Sequence, residues 1–236
     1  MVNPTGYREV PERGAGLVCS WTAALPAGAE PFVQRVVPDG CVDVIWSADG
    51  IQVAGPDTGP MPAAVRPGTR MAAVRFGPGA APPVLGVPAD ALRDARVPLR
   101  ELWGGAADGL ADAVAGAGSL EARREVLVAA LRARAARVEP VDPLVPAVVA
   151  GLAEGSVRDV ADALGLGERQ LRRRSLAAFG YGPKVLQRVL RFQRALALAR
   201  SGVPLADVAY AAGFADQPHF ANEVRALAGE PLTALL

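Results

Sequence analysis

Arg169, Arg172 and Arg173 recur at helical spacing, so their guanidinium groups share one face. A planar guanidinium fork can donate two parallel hydrogen bonds to a guanine edge or to a phosphate. Gln217, His219 and Asn222 form a second set, beginning 48 residues after Arg169. Amide and imidazole side chains also make directional hydrogen bonds to base edges. Residues 169–200 hold nine basic side chains and no acid, whereas the whole chain carries a formal charge of only +1. A charged face is often merely solvated, but so local a stripe in a near-neutral chain favours a polyanionic partner.

Both sets sit in the same helical pattern, written twice. Ser156 to Leu171 and Pro204 to Phe220 each read as a short helix, a glycine turn and a second helix. Ala161 and Ala209 are small where the helices cross, and Gly165 and Gly213 suit a left-handed turn. Leu164, Leu166 and Leu171, with Phe214 and Phe220, supply the apolar contacts. Ser156 with Asp159 resembles a capping box, and Pro204 is placed in a first helical turn. Leu171, Ser175 and Ala178, and then Phe220, Val224 and Leu227, form the inward stripes. The expected units are 156–179 and 204–228, joined by a helix over 183–201 with Leu186, Leu190 and Leu198 on one buried stripe. Eighteen helical residues span about 27 Å, and successive major-groove faces lie about 34 Å apart. Two such units could therefore read one duplex. Lys184, Arg188, Arg191 and Arg225 are the expected phosphate contacts, with salt-bridge roles the alternative for those on the joining helix.

The segment from about 143 to 236 resembles the DNA-binding domain of the AraC/XylS family of bacterial transcription regulators. The resemblance rests on Glu168-Arg-Gln-Leu-Arg-Arg-Arg174, Gly182-Pro-Lys184, Arg191-Phe192 with Ala195, and Val208-Ala-Tyr-Ala-Ala-Gly-Phe-Ala-Asp-Gln217 followed by His219-Phe220. It implies a seven-helix domain that sends the outward residues into adjacent major grooves, with RNA polymerase as a candidate partner. Four positions depart from the family pattern: Ser175 replaces a large aromatic, Gly167 a hydroxyl cap, Pro218 a small polar residue and Asn222 a basic one.

The first 140 residues are different material, with 14 Arg, 15 acids and most of the prolines. Leu17–Trp21, Phe32–Val37, Val42–Trp46, Ile51–Ala54 and Met71–Phe76 read as strands, which suggests a small barrel or sandwich. Helices are expected at 105–116 and 119–136, the second with Leu120, Leu127 and Leu131 on one side. That stripe would bury either against its own barrel or in a homodimer. Glu139-Pro-Val-Asp-Pro143 reads as a linker between a domain at 1–138 and one at 144–236. The fold class is then α+β in two domains, with a β-barrel or sandwich and trailing helices before an all-α double helix-turn-helix. Val37-Pro-Asp-Gly-Cys-Val-Asp43, Ala54-Gly-Pro56 and Arg75-Phe-Gly-Pro-Gly-Ala-Ala81 are similar to the amino-terminal domain of one branch of AraC-type regulators. That likeness implies a sensing domain for an undefined small-molecule effector.

Asp39, Cys41, Asp43, Trp46 and Arg75 are the residues of this half that could line an effector pocket. A turn, packed strands and an internal ion pair explain them more simply. Cys41 could sense alkylation or redox change, although the flanking acids oppose thiolate formation. His219 is the sole histidine and neither Cys19 nor Cys41 has a CxxC partner, so no metal or cofactor is expected. No phosphate loop, nucleophile elbow or dinucleotide glycine pattern occurs, and an enzyme is not expected. The chain shows no secretion-signal core and no apolar run near the ~20 residues that cross a bilayer, which suits a cytoplasmic protein without a membrane partner. The expected function is sequence-specific binding of double-stranded DNA, modulated by the amino-terminal domain. A helical protein-interaction module that has lost DNA binding is the alternative.

Overall fold

The computed structural model describes residues 6–236 and divides them into a sheet-and-helix half and an all-helical half. Eight strands occur in the first half: β1 (Arg8–Pro11), β2 (Leu17–Ala24), β3 (Phe32–Val36), β4 (Val42–Ser47), β5 (Gly50–Ala54), β6 (Met61–Val65), β7 (Arg70–Phe76) and β8 (Arg96–Pro98). Six of them make an antiparallel sheet in the order β1-β2-β7-β4-β5-β8, and β3 pairs with β6 in a separate ribbon. The five anticipated strands are all present. β1, β6 and β8 were not legible: β1 is exposed throughout, β6 carries Pro62 and two alanines, and β8 is three residues long. Pro62 is tolerated because β6 has a single strand neighbour.

Alternation along the strands separates two faces. Val42, Val44 and Trp46 of β4 join Ile51, Val53, Ala72, Val74 and Phe76 in a core beneath the helices. Four helices follow: α1 (Ala81–Leu85), α2 (Leu99–Trp103), α3 (Gly105–Gly116) and α4 (Leu120–Ala135). Ser119 caps α4, its hydroxyl accepting the Ala122 amide at 3.0 Å. Leu120, Leu127 and Leu131 are buried against the sheet of their own chain. That packing removes the reason for expecting a homodimer through these helices.

The second half contains α5 (Leu144–Glu154), α6 (Val157–Ala163), α7 (Glu168–Phe179), α8 (Pro183–Arg200), α9 (Leu205–Ala211) and α10 (Gln217–Ala228), closed by a 3-10 turn at Leu232–Leu235. Ser156 and Asp159 form the reciprocal cap of α6: each side chain accepts the other's amide, at 3.2 and 3.0 Å. Gly165 and Gly213 turn the chain at φ +62° and +81°, the left-handed region where a Cβ is disfavoured. Pro204 stands one residue earlier than expected, as the N-cap of α9 rather than inside its first turn. The buried stripe of α8 is also rotated from the expected one. Leu186, Val189, Phe192 and Leu196 fill the core, while Leu190 and Leu198 pack only at its margin. No helix among the described residues is long and apolar enough to cross a membrane.

Candidate nucleic-acid interface

Helix α7 buries Leu171, Ser175 and Phe179, and that fixes which side chains face out. Arg169, Arg172 and Arg173 are exposed on the other side, and none forms an ion pair with a described residue. Phe179 occupies core volume near Ser175, whose hydroxyl is buried without a partner. Gly167 offers no side-chain cap, but the Gln170 side chain accepts its amide at 3.1 Å. Arg174 points elsewhere, toward Asp142 in the linker at 2.5 Å.

In α10 the core residues are Phe220, Val224 and Leu227, leaving Gln217, Pro218, His219, Asn222 and Arg225 exposed. Asp216 caps the helix by accepting the His219 amide at 2.7 Å, and Pro218 sits in the first turn, where an amide is dispensable. The His219 ring meets Phe214 edge-on at 5.8 Å. Gln217 donates to the Ala206 carbonyl at 3.1 Å, so its amide must leave that bond to reach another acceptor.

The predicted phosphate contacts differ in availability. Lys184 is exposed and unpaired among the described residues, and so is Arg225. Arg188 is bound to Glu223 of α10 at 2.5 Å, which ties α8 to α10. Arg191 is half-buried and lies beside Gly213. Between α7 and α10 runs a cleft of about 1110 Å³, lined by Arg169, Arg172, Lys184, Arg188, Arg191 and His219. Six of the ten predicted DNA-contacting side chains thus border one continuous depression.

The five candidate effector residues do not form a single site. Arg75 donates to both Asp43 oxygens at 3.0 and 2.8 Å and lies 3.3 Å from Asp39. Asp39 in turn accepts the Cys41 amide at 2.8 Å. Trp46 lies on the opposite face of the sheet, because it is three residues from Asp43 on the same strand. There its ring is covered by the Arg123 guanidinium at 4.3 Å. Trp21 takes the place expected for Trp46, with its indole N–H 3.3 Å from Asp43. Burial pushes the Cys41 thiol up, and Asp39 and Asp43 push it further, against the pull of Arg75. Burial also raises the Asp39 carboxyl, although Arg75 opposes the shift.

The amino-terminal motifs have a different place, at the junction of the two halves. Gln193 of α8 donates to the Pro38 carbonyl at 2.6 Å. Tyr181 is buried with its hydroxyl against Gly40, that hydroxyl without a partner and its ionisation disfavoured first by burial and then by Asp39. A Cβ at Gly180 would lie 2.6 Å from Pro56 and 3.1 Å from the Ala89 carbonyl. Arg93 donates to the Gly180 carbonyl at 3.1 Å. Beyond α10, Glu230 pairs with Arg35 of β3 at 3.0 Å, and Gly229 lies against Pro60. The carboxy-terminal ends of both α7 and α10 therefore rest on the first half. Sequence reasoning missed this junction. Its one local sign was Tyr181 between two glycines, a large ring where the backbone approaches closely.

Residues 160–236 match the family model described as a helix-turn-helix domain, and residues 17–98 match one described as a domain of unknown function. No curated protein sequence matches the chain. Similar solved structures include two of ToxT from Vibrio cholerae, with 10% and 12% identity and TM-scores of 0.44 and 0.45. They cover 87% of this chain and 96% and 97% of theirs. A structure of the same protein with unsaturated fatty acid bound has 9% identity and a TM-score of 0.44, covering 92% of each chain. Residues 160–236 of this chain are thus similar to a helix-turn-helix domain.

Proposed function

We propose that the chain is a transcription regulator whose two recognition helices, α7 and α10, enter adjacent major grooves of one duplex. The observation that carries this reading is the pairing of a matched helix-turn-helix domain with a cleft bordered by outward cations of α7 and α8 and by His219 of α10. Arg169, Arg172 and Arg173 would read bases from α7, and Gln217, His219 and Asn222 from α10. Lys184 and Arg225 would hold phosphates. Arg191, half-buried, and Arg188, held by Glu223, would contribute less.

Modulation by the amino-terminal half has a physical route in this reading. Both recognition helices end against that half, at Gly180 and at Gly229–Glu230. A small-molecule effector that shifted the sheet would thereby change the separation of α7 and α10, the quantity on which two-groove binding depends. The Asp39–Arg75–Asp43 cluster is the candidate entry point, because the Asp39 turn carries both Pro38 and Gly40 of the junction. An electrophoretic shift survey with genomic fragments tests the reading. Retarded fragments sharing a sequence are expected, and their absence would refute DNA reading.

A further inference from the structure

The cleft between the recognition helices is not built by the helical half alone. Thr58, Arg93 and Asp94 of the amino-terminal half stand on its rim, in the same depression as Arg169, Arg172 and Lys184. We propose that Arg93 is a third point of attachment to the duplex, gripping a phosphate of the segment between the two major grooves. This inference rests on the reading above.

Three features of Arg93 support the role. It is exposed in the cleft that Arg169 and Arg172 border, yet it belongs to a loop that no helix-turn-helix would supply. Its Nη1 donates to the Gly180 carbonyl at 3.1 Å, at the end of α7, which fixes the guanidinium relative to the first recognition helix. Its Nε lies 3.9 Å from Asp94, and Nη2 has no partner among the described residues, so a donor remains for an incoming oxygen. The neighbouring carboxylate is itself restrained: Asp94 accepts the Thr58 amide at 2.7 Å and the Thr58 hydroxyl at 3.0 Å. Asp94 holds this loop at φ +57°, a left-handed conformation that Asp tolerates better than most residues. The loop is thus pinned by one residue and armed by the next.

A phosphate contact and a base contact leave different signatures. Each phosphate neutralised contributes about 0.9 to the slope of log affinity against log salt, for every sequence alike. The experiment uses the full chain on a duplex selected by that chain, with Arg93→Gln and Arg93→Lys compared by salt titration and phosphate-ethylation interference. Arg93→Gln keeps a side-chain donor for Gly180 but no charge. It should reduce the slope by about 0.9 and abolish interference at one central phosphate, with base preference unchanged. Arg93→Lys should restore the slope. An unchanged slope and interference pattern in Arg93→Gln, or tighter binding, would overturn the third contact while leaving groove reading intact. Failure of the unaltered chain to bind any duplex would overturn both.

Discussion

Gly79 and Phe179 meet across the junction of the two halves so closely that a Cβ on the glycine would lie 2.8 Å from the phenyl edge. It would lie 2.6 Å from a methyl of Val145, and Gly79 is also at φ +78°. Gly79→Ala should therefore destabilise the chain by about 1–3 kcal/mol through overpacking, with backbone strain in addition. Urea unfolding measures it. A stability equal to the unaltered chain would mean that the junction is not packed as described.

The Arg75 guanidinium holds Asp43 by two hydrogen bonds with both side chains largely covered, at 25% and 14% exposure. Removing one partner leaves the other's charge poorly compensated. Asp43→Ala should cost about 3 kcal/mol, at the low end for a buried pair because Asp39 still faces Arg75. Replacement of both residues by apolar side chains should cost less than Asp43→Ala alone. A larger loss in the double variant would contradict that account.

The Cys41 thiol is held above its ordinary range by burial and then by Asp39. The raised value means less thiolate at any given pH, hence slower alkylation. Iodoacetamide at pH 8 should modify Cys41 far more slowly in the folded chain than in denaturant. Asp39→Asn should speed the folded reaction, because it removes a negative charge that opposes thiolate. Rapid modification of the folded chain would revive the alkylation-sensor reading.

Arg172 and Lys184 border the same cleft but should fail differently when removed. Arg172→Ala should cost about 1–3 kcal/mol and relax preference at one base position. Lys184→Ala should weaken all sequences alike and flatten the salt dependence by about 0.9. A specificity change from Lys184→Ala, or a uniform loss from Arg172→Ala, would reverse the roles given to them.

Most of the helical half was legible because its signals are local. The Ser156–Asp159 cap, the glycine turns and the 3.6-residue stripes act within a few residues of themselves. The five anticipated strands declared themselves by alternation. β6 and β8 did not, since their pairing with β3 and β5 substitutes for intrinsic propensity. Trp46 was misplaced because grouping residues by proximity in sequence ignored the two-residue period of the strand that carries it. Arg188 was open between a phosphate contact and an ion pair until Glu223, 35 residues away, came within reach. The junction was hidden for the same reason: Pro38, Pro56 and Gly79 are recognisable motif positions, but their partners lie in the helical half, far away in sequence.

Selection of binding sites by the full chain from a randomised duplex library tests the central claim most directly. Two separate blocks of preferred bases are predicted, their centres about 10 base pairs apart, the first losing definition in Arg172→Ala and the second in Asn222→Ala. Enrichment of a single block, or of none, would contradict a protein that reads two grooves at once.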